Sequence, residues 1–415
     1  VGQPLQFRKS CRQMKYDFDR IATPRGIGSV KWEHRKGDNG LEAWDATEEI
    51  DGKRQVLPMW VADMDFAIAE PIRRALEARA AIPSVGYTYK TDAYLSAVTG
   101  WMQRRHGWTV EKDWIATASG VVPALNMLVR TFTQAGDGVI VQPPVYHPFY
   151  MVIENNDARV VRNPLRLVDG RYEMDFQDLE AKASDPTVKM LLLCSPHNPV
   201  GRVWNEAELS RLGEICNRHD VLVVADELHA DLMLNGSVFK PYAALGRACA
   251  ENAIVCSAAS KTFSLAGMHT AHIITPNPEL RSQVGAGLQK ATMFGMNPFG
   301  AAAVQAAYDE GEEWLRQVLA YIQGNMDFMA GYLAKNLPHI RMIKPEATYL
   351  AWLDCRALGL DKAQLEDLML NKAGLYLDEG YIFGEEGAGF ERINVACPRF
   401  ILEDAMRRLT DAVTH

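Results

Sequence analysis

Asn198, Asp226 and Lys261 are the residues of this sequence best suited to chemistry, because each follows a separate short apolar run typical of a buried strand. In an open parallel sheet, ligands bind just beyond the carboxyl ends of the strands. The three runs therefore predict one edge at which an amide, a carboxylate and an amine face the same ligand.

Two upstream features add to this edge. Ser119 and Gly120 stand between a predicted strand and a predicted helix, where free backbone N–H groups and the helix dipole favour an anion. Tyr146 follows another strand and supplies an aromatic ring. Together the five features match the needs of pyridoxal phosphate: an amine for a Schiff base, a carboxylate for the pyridine nitrogen, an amide for the ring hydroxyl, a stacking ring and a phosphate site.

Each residue alone also has an ordinary structural reading. Asp226 could cap a helix, Asn198 before a proline could belong to a turn, and Lys261 could lie in a solvated loop. Their joint placement at strand ends favours the cofactor site. No glycine-rich phosphate loop or dinucleotide fingerprint is complete, and no metal site is expected.

Alternating strands and helices must position these groups. We expect strands at 114–117, 139–141, 189–194, 221–225 and 253–256, helices at 121–133 and from Asn205, a helical region at 301–336, and strands at 349–353 and 392–395. This pattern predicts an α/β fold with a mainly parallel central sheet. We expect a large domain at 61–299 and a smaller α+β domain formed from both chain ends, 1–60 and 300–415.

The composition excludes several other classes of protein. The 415 residues are 48% hydrophobic and carry a formal charge of -8, which argues against a nucleic-acid or anionic-membrane partner. No apolar run approaches the length of about 20 residues that a membrane span needs. Seven cysteines without a CxxC pair are typical of thiols in a reducing compartment, so a cytoplasmic location is expected.

Motifs along nearly the whole chain resemble fold-type I pyridoxal phosphate enzymes, which have the aspartate aminotransferase fold. Within them, the chain resembles the MalY/PatB group of cystathionine β-lyases, related to class I/II aminotransferases. The motifs are YDFD at 16–19, PMWVADMDF at 58–66, GY at 86–87, GVVPA at 120–124, PHNPVG at 196–201, DELH at 226–229, SKTF at 260–263 and NVACPR at 394–399.

The resemblance implies roles at the cofactor ring. Lys261 would bind pyridoxal 5'-phosphate covalently and act as the general base. Asp226 would pair with the pyridine nitrogen, Asn198 would meet the ring hydroxyl, and Tyr146 would stack on the ring. His229 stands where aminotransferases usually carry a tyrosine, and histidine at that place resembles the lyase group.

It also implies contacts with the phosphate and the substrate. The phosphate contacts would come from Gly120, Val121, Ser260 and, in a homodimer with shared active sites, Tyr87 of the other subunit. Arg399 would clamp the substrate carboxylate in a bidentate pair, and Trp60 would line the substrate entrance. His269 stands where aminotransferases usually have a phosphate-binding arginine, and its role is open.

The activity implied is cleavage of cystathionine or another L-cysteine S-conjugate to a thiol, pyruvate and ammonia. Two alternatives stay open at this point. One is an aminotransferase on the same scaffold, and the other is a lyase with an added role in binding a transcription regulator.

Overall fold

The computed structural model of the protein describes residues 16–20, 22, 25–37, 40–44 and 56–414. The α-helices in these residues are α1 (Val30–Glu33), α2 (Glu70–Ala80), α3 (Asp92–His106), α4 (Val121–Phe132), α5 (Pro148–Glu154), α6 (Phe176–Ala183), α7 (Glu206–Arg218), α8 (Arg247–Glu251), α9 (Ala259–Thr262), α10 (Pro278–Lys290), α11 (Pro298–Glu310), α12 (Glu312–Asn336), α13 (Lys362–Glu366) and α14 (Arg399–Thr414).

The strands in the same residues are β1 (His34–Gly37), β2 (Gly40–Ala43), β3 (Leu57–Pro58), β4 (Ile115–Ala118), β5 (Gly138–Val141), β6 (Arg159–Arg162), β7 (Arg166–Val168), β8 (Arg171–Glu173), β9 (Val188–Cys194), β10 (Leu222–Asp226), β11 (Ala253–Ser257), β12 (Ala271–Ile274), β13 (Arg341–Ile343), β14 (Leu350–Asp354), β15 (Leu375–Tyr376), β16 (Asp378–Glu379) and β17 (Phe390–Asn394).

A seven-stranded sheet forms the centre of the fold, in the order β4-β12-β11-β10-β9-β5-β6. Strand β12 is antiparallel to both of its neighbours, and the other strands run parallel to one another, so the predicted mainly parallel sheet is confirmed. Asp226 pairs with Cys194 of β9 on one side and with Cys256 of β11 on the other. This register brings the carboxyl ends of three strands to one edge.

Helix boundaries follow local chemistry. Asn205 begins α7 with the predicted capping box, in which its side chain accepts the Glu208 N–H and the Glu208 carboxylate accepts the Asn205 N–H. The predicted helical region at 301–336 is two helices that meet at Gly311. A Cβ there would lie 2.4 Å from the Ala307 carbonyl oxygen and 2.5 Å from the Phe263 ring, so the close approach of the chain requires glycine.

A second, four-stranded antiparallel sheet follows in the order β13-β14-β17-β16. Strand β3 from the N-terminal part pairs with β15 from the C-terminal part, which carries Trp60 toward the second sheet. One apolar cluster contains residues of both proposed domains. The division into 61–299 and 1–60 with 300–415 therefore stays a prediction, and much of 1–60 lies outside the described residues.

In the described part of the chain, no helix combines the length and apolar character that a membrane crossing requires. The same residues contain no group of three or more His, Cys, Asp or Glu side chains arranged to hold a metal ion. Six of the cysteines are buried free thiols, and Cys11 lies outside the described residues.

Candidate functional site

A cavity lies at the carboxyl ends of β9, β10 and β11, between the two sheets. It is lined by Lys36, Trp60, Val61, Ala62, Tyr146, His147, Cys194, Asn198, Asp226, Leu228, His229, Lys261, Asp378 and Arg392. The structure therefore brings together six residues that the sequence predicted for one site: Trp60, Tyr146, Asn198, Asp226, His229 and Lys261.

Asp226 and Lys261 form the polar base of this cavity. The Asp226 carboxylate accepts the Leu228 N–H at 3.1 Å, and burial raises its pKa to about 7. The Lys261 Nζ donates to the Ala62 carbonyl at 2.8 Å and lies 3.9 Å from Asp63 Oδ1. Burial lowers the pKa of Lys261. A buried carboxylate suits a cationic ring nitrogen, and an amine with a lowered pKa suits attack on a carbonyl and proton transfer.

Tyr146 and Asn198 come from the loops after β5 and β9. Burial, followed by the nearby Asp226 charge, raises the pKa of Tyr146 to about 12, so its hydroxyl stays protonated. The Asn198 Oδ1 accepts from Arg392 at 3.1 Å, which leaves the Asn198 Nδ2 to donate to a ligand oxygen.

His229 follows Asp226 by three residues and packs edge-on against the Tyr349 ring, with centroids 6.3 Å apart. Its Nδ1 is buried without a hydrogen-bond partner among the described residues. Burial, with Lys261 and Arg392 nearby, lowers the pKa of His229 to about 3. His229 is therefore a neutral imidazole with an unsatisfied nitrogen beside the cavity.

Arg392 lines the cavity from the middle of β17, and the sequence reasoning missed it. One terminal nitrogen donates to Asn198, and the other donates to the Trp60 carbonyl at 2.9 Å and forms an ion pair with Asp378. Arg392 and Asp378 are both buried, with side chains 4% exposed. The Arg392 Nε has no partner among the described residues. The guanidinium is thus held rigidly at the cavity, and the terminal nitrogen that donates to Asn198 keeps a second N–H for an anion.

Arg399 is elsewhere, contrary to the prediction that it meets the substrate. Its Nε donates to Asn325 Oδ1 at 2.8 Å, and its guanidinium lies 4.8 Å from the Phe328 ring centroid, so both contacts are with α12. Arg399 begins α14, beyond the end of β17, and is not among the residues that line the cavity.

A second cavity lies beside the predicted phosphate residues Gly120 and Val121, which are not among its lining residues. Ser119 and His269 line it, and Gly120 and Val121 begin α4 next to Ser119. Helix α4 has no side-chain cap and no acidic residue in its first turn, so its N–H groups remain suited to an anion. Ser260 lies in α9, one residue before Lys261.

Tyr87 is fully exposed and lines neither cavity in this single chain.

The residues present fit pyridoxal phosphate. The cavity contains an amine, a buried carboxylate whose pKa is raised to about 7, a free amide donor and an aromatic ring. The uncapped start of α4 would supply a phosphate site. Lys261 would hold the cofactor covalently, and Asp226 would stabilise a positive charge on the ring nitrogen.

Comparison with known proteins places this geometry in a family. The family model for aminotransferase class I and II matches residues 63–409. Cystathionine β-lyase PatB of Bacillus subtilis is 44% identical over 92% of this chain and 99% of its own length. Protein MalY of Escherichia coli is 31% identical over 96% of this chain and 99% of its own length. Cystalysin of Treponema denticola, whose crystal structure contains pyridoxal 5'-phosphate, superposes with a TM-score of 0.91 at 36% identity, covering 97% of this chain and 99% of that one.

The aspartate aminotransferase-like fold and the predicted family are thereby confirmed. The chain belongs to the class I and II aminotransferase family, in the branch that also contains PatB and MalY.

Proposed function

We propose that this protein is a pyridoxal phosphate-dependent carbon–sulfur β-lyase that cleaves L-cystathionine or related L-cysteine S-conjugates. The observation that carries this proposal is the arrangement of Lys261, Asp226 and Arg392 around one cavity. The chain is also 44% identical to a cystathionine β-lyase over nearly its whole length.

Substrate binding rests on Arg392 in place of Arg399. A guanidinium fixed by Asn198 and by the Trp60 carbonyl suits an α-carboxylate, which takes two parallel N–H bonds. The terminal nitrogen that donates to Asn198 has a second N–H, which supplies a donor for this contact. Binding there would set the α-carbon of the substrate beside Lys261.

Proton transfer is assigned to Lys261. Burial lowers the pKa of its amine, so the neutral form that accepts a proton from the α-carbon is accessible near neutral pH. Pyridoxal phosphate, when bound, supplies an electron sink for the pair left on that carbon. Asp226 would stabilise a positive ring nitrogen, on which that sink depends, and the Tyr146 hydroxyl stays protonated.

Elimination then breaks the bond between the β-carbon and sulfur. The electron pair of that bond leaves on sulfur as a thiolate, which takes up a proton. The unsaturated amino-acid product is hydrolysed to pyruvate and ammonia, so no external oxidant, reductant or keto acid is consumed.

The test is pyruvate release from L-cystathionine by the purified holoenzyme, with no α-keto acid added. We expect stoichiometric pyruvate and homocysteine, and loss of both in Lys261→Ala. Conversion that depended on an added α-keto acid, with no pyruvate from cystathionine alone, would identify an aminotransferase instead.

A homodimer with shared active sites is the proposed assembly. Exposed apolar side chains cluster where the loop at 82–89 meets the segment at 293–296, joined by the Met296 N–H to Thr88 carbonyl bond. Phe294 of this patch also lines the second cavity, together with Ser119. A second copy covering the patch would bring Tyr87 to its neighbour's phosphate site. We expect a dimer by light scattering and monomers for Phe294→Asp, and a monomeric active wild type would contradict this assembly.

A cytoplasmic location is also proposed, and the six unpaired buried thiols support it.

A further inference from the structure

The ammonium group of Lys36 lines the same cavity as Lys261, although it comes from the N-terminal hairpin of β1 and β2. The Lys36 backbone N–H donates to the Tyr376 hydroxyl at 2.9 Å, which holds the hairpin against β15. The Lys36 Nζ lies 5.2 Å from the Trp60 ring centroid and 2.6 Å from Asp378 Oδ1. The fold thus delivers a cation to the cavity wall formed by Trp60.

The charges around Lys36 do not balance. Asp378 receives two cations, Lys36 on Oδ1 and Arg392 on Oδ2, so this group of three, of which Asp378 and Arg392 are buried, carries one excess positive charge. Glu379 lies next to Asp378 on β16, but burial raises its pKa, which makes it a weak counter-ion for Lys36. On the far side of the cavity, Asp226 is committed to the ring nitrogen.

The Lys36 amine also has donors to spare. An ammonium group has three N–H bonds, and Asp378 is the one hydrogen-bond acceptor that Lys36 Nζ contacts in the described residues. Its side chain is 39% exposed, so the remaining donors can reach a ligand in the cavity. The Trp60 ring face holds the cation in place from one side.

We propose that Lys36 is a substrate-binding residue that recognises a carboxylate on the sulfur-linked part of the substrate. This inference rests on the proposed lyase function and deepens it. Arg392 takes the α-carboxylate, and Lys36 selects S-conjugates whose leaving thiol carries a second carboxylate. The two cations share Asp378, which fixes the spacing between the two anion sites.

The test compares S-(2-carboxyethyl)-L-cysteine with S-(2-carbamoylethyl)-L-cysteine, which have the same number of non-hydrogen atoms and differ in charge. The quantity measured is the ratio of kcat/KM values for pyruvate release from the two compounds by the holoenzyme. We expect the wild type to prefer the carboxylate and Lys36→Met to lower the ratio about fivefold, the equivalent of one partly exposed ion pair. Lys36→Arg should keep the ratio.

Lys112→Met is the matched control. Lys112 makes an ion pair of the same 2.6 Å length with Asp92 and is 41% exposed, but it does not line the cavity. Its variant should keep the wild-type ratio. An unchanged ratio in Lys36→Met, whatever the loss in absolute rate, would overturn the proposal, because Lys36 would then act only through Asp378 and Arg392.

A second measurement separates this inference from the lyase function. Binding of the two compounds to the holoenzyme is followed by rapid mixing, as the change in visible absorbance of the bound cofactor before any pyruvate is released. A fivefold loss of the binding preference in Lys36→Met would support the role of Lys36 even if no pyruvate were released. Equal preferences in the wild type and Lys36→Met would refute it even if the lyase activity were present.

Discussion

Replacement of Arg392 by lysine tests the reassignment of the α-carboxylate site. Lysine keeps a positive charge beside the buried Asp378, which Lys36 also contacts, so the charge balance of this group is unchanged. It cannot, however, reach Asn198, the Trp60 carbonyl and a substrate carboxylate together, because it has one nitrogen in place of three. The variant should fold and bind the cofactor, yet bind substrate poorly.

The magnitude follows from the bonds lost. A hydrogen bond between charged partners contributes about 1.5–3 kcal/mol, and one such bond to the carboxylate is lost when a two-pronged donor becomes a single one. That free energy corresponds to a fall in kcat/KM for cystathionine of about 10- to 150-fold. The assay is coupled pyruvate release, with the visible spectrum of the bound cofactor as the check on folding.

Arg399→Lys is the matched control, because Arg399 contacts Asn325 and Phe328 outside the cavity. It should change kcat/KM by less than about twofold, as expected for a partly exposed ion or polar contact. With a substrate analogue that carries a carboxamide in place of the α-carboxylate, the kcat/KM values of the wild type and Arg392→Lys should become nearly equal. If Arg399→Lys lost the activity and Arg392→Lys kept it, the assignment of the carboxylate site to Arg392 would be wrong.

Three other perturbations test the buried acids. Burial raises the pKa of Asp226 from 3.8 to about 7. The free energy of unfolding of the cofactor-free protein should therefore fall as pH rises from about 4 to 7, by up to about 1.4 kcal/mol per pH unit. Asp226→Asn should remove this pH dependence, as measured by urea unfolding. Burial and the facing Glu379 raise the pKa of Glu391, whose Oε2 has no partner in the described residues. Because the buried charge is unfavourable, Glu391→Gln should raise the melting temperature, and the increase should grow as pH rises above about 4.5. Asp231 accepts the Thr262 hydroxyl at 2.9 Å beside the cofactor lysine, so Asp231→Asn should weaken cofactor affinity, measured by absorbance titration, and a variant with wild-type affinity would exclude this positioning role.

The central sheet was predictable because its strands are buried on both faces. Continuous apolar runs such as 189–194 and 221–225 mark such strands, and parallel pairing aligns their carboxyl ends. The observed strand Val188–Cys194 begins one residue earlier than predicted, and Leu222–Asp226 is shifted by one residue at both ends. Asp226 and Lys261 could therefore be placed at one edge from the sequence alone.

The opposite wall of the cavity could not be predicted in this way. It is built by β16, a strand of two residues, and by β1 from the N-terminal hairpin. Elements this short have no measurable period, so neither Asp378 nor Lys36 had a signal in the sequence. Their meeting depends on pairing between segments more than 300 residues apart, such as the bond from Lys36 to the Tyr376 hydroxyl.

The position of a strand boundary determines whether Arg392 is buried beside the cavity. The sequence predicts a strand beginning at Arg392, whereas the observed strand begins at Phe390 and buries Arg392 at its centre. A buried arginine needs a partner, and the register pairs it with Asp378 on the neighbouring strand. Since Asp378 is also held by Lys36, Arg392 is left with capacity for one more anion, and a substrate carboxylate is the anion that this chemistry provides.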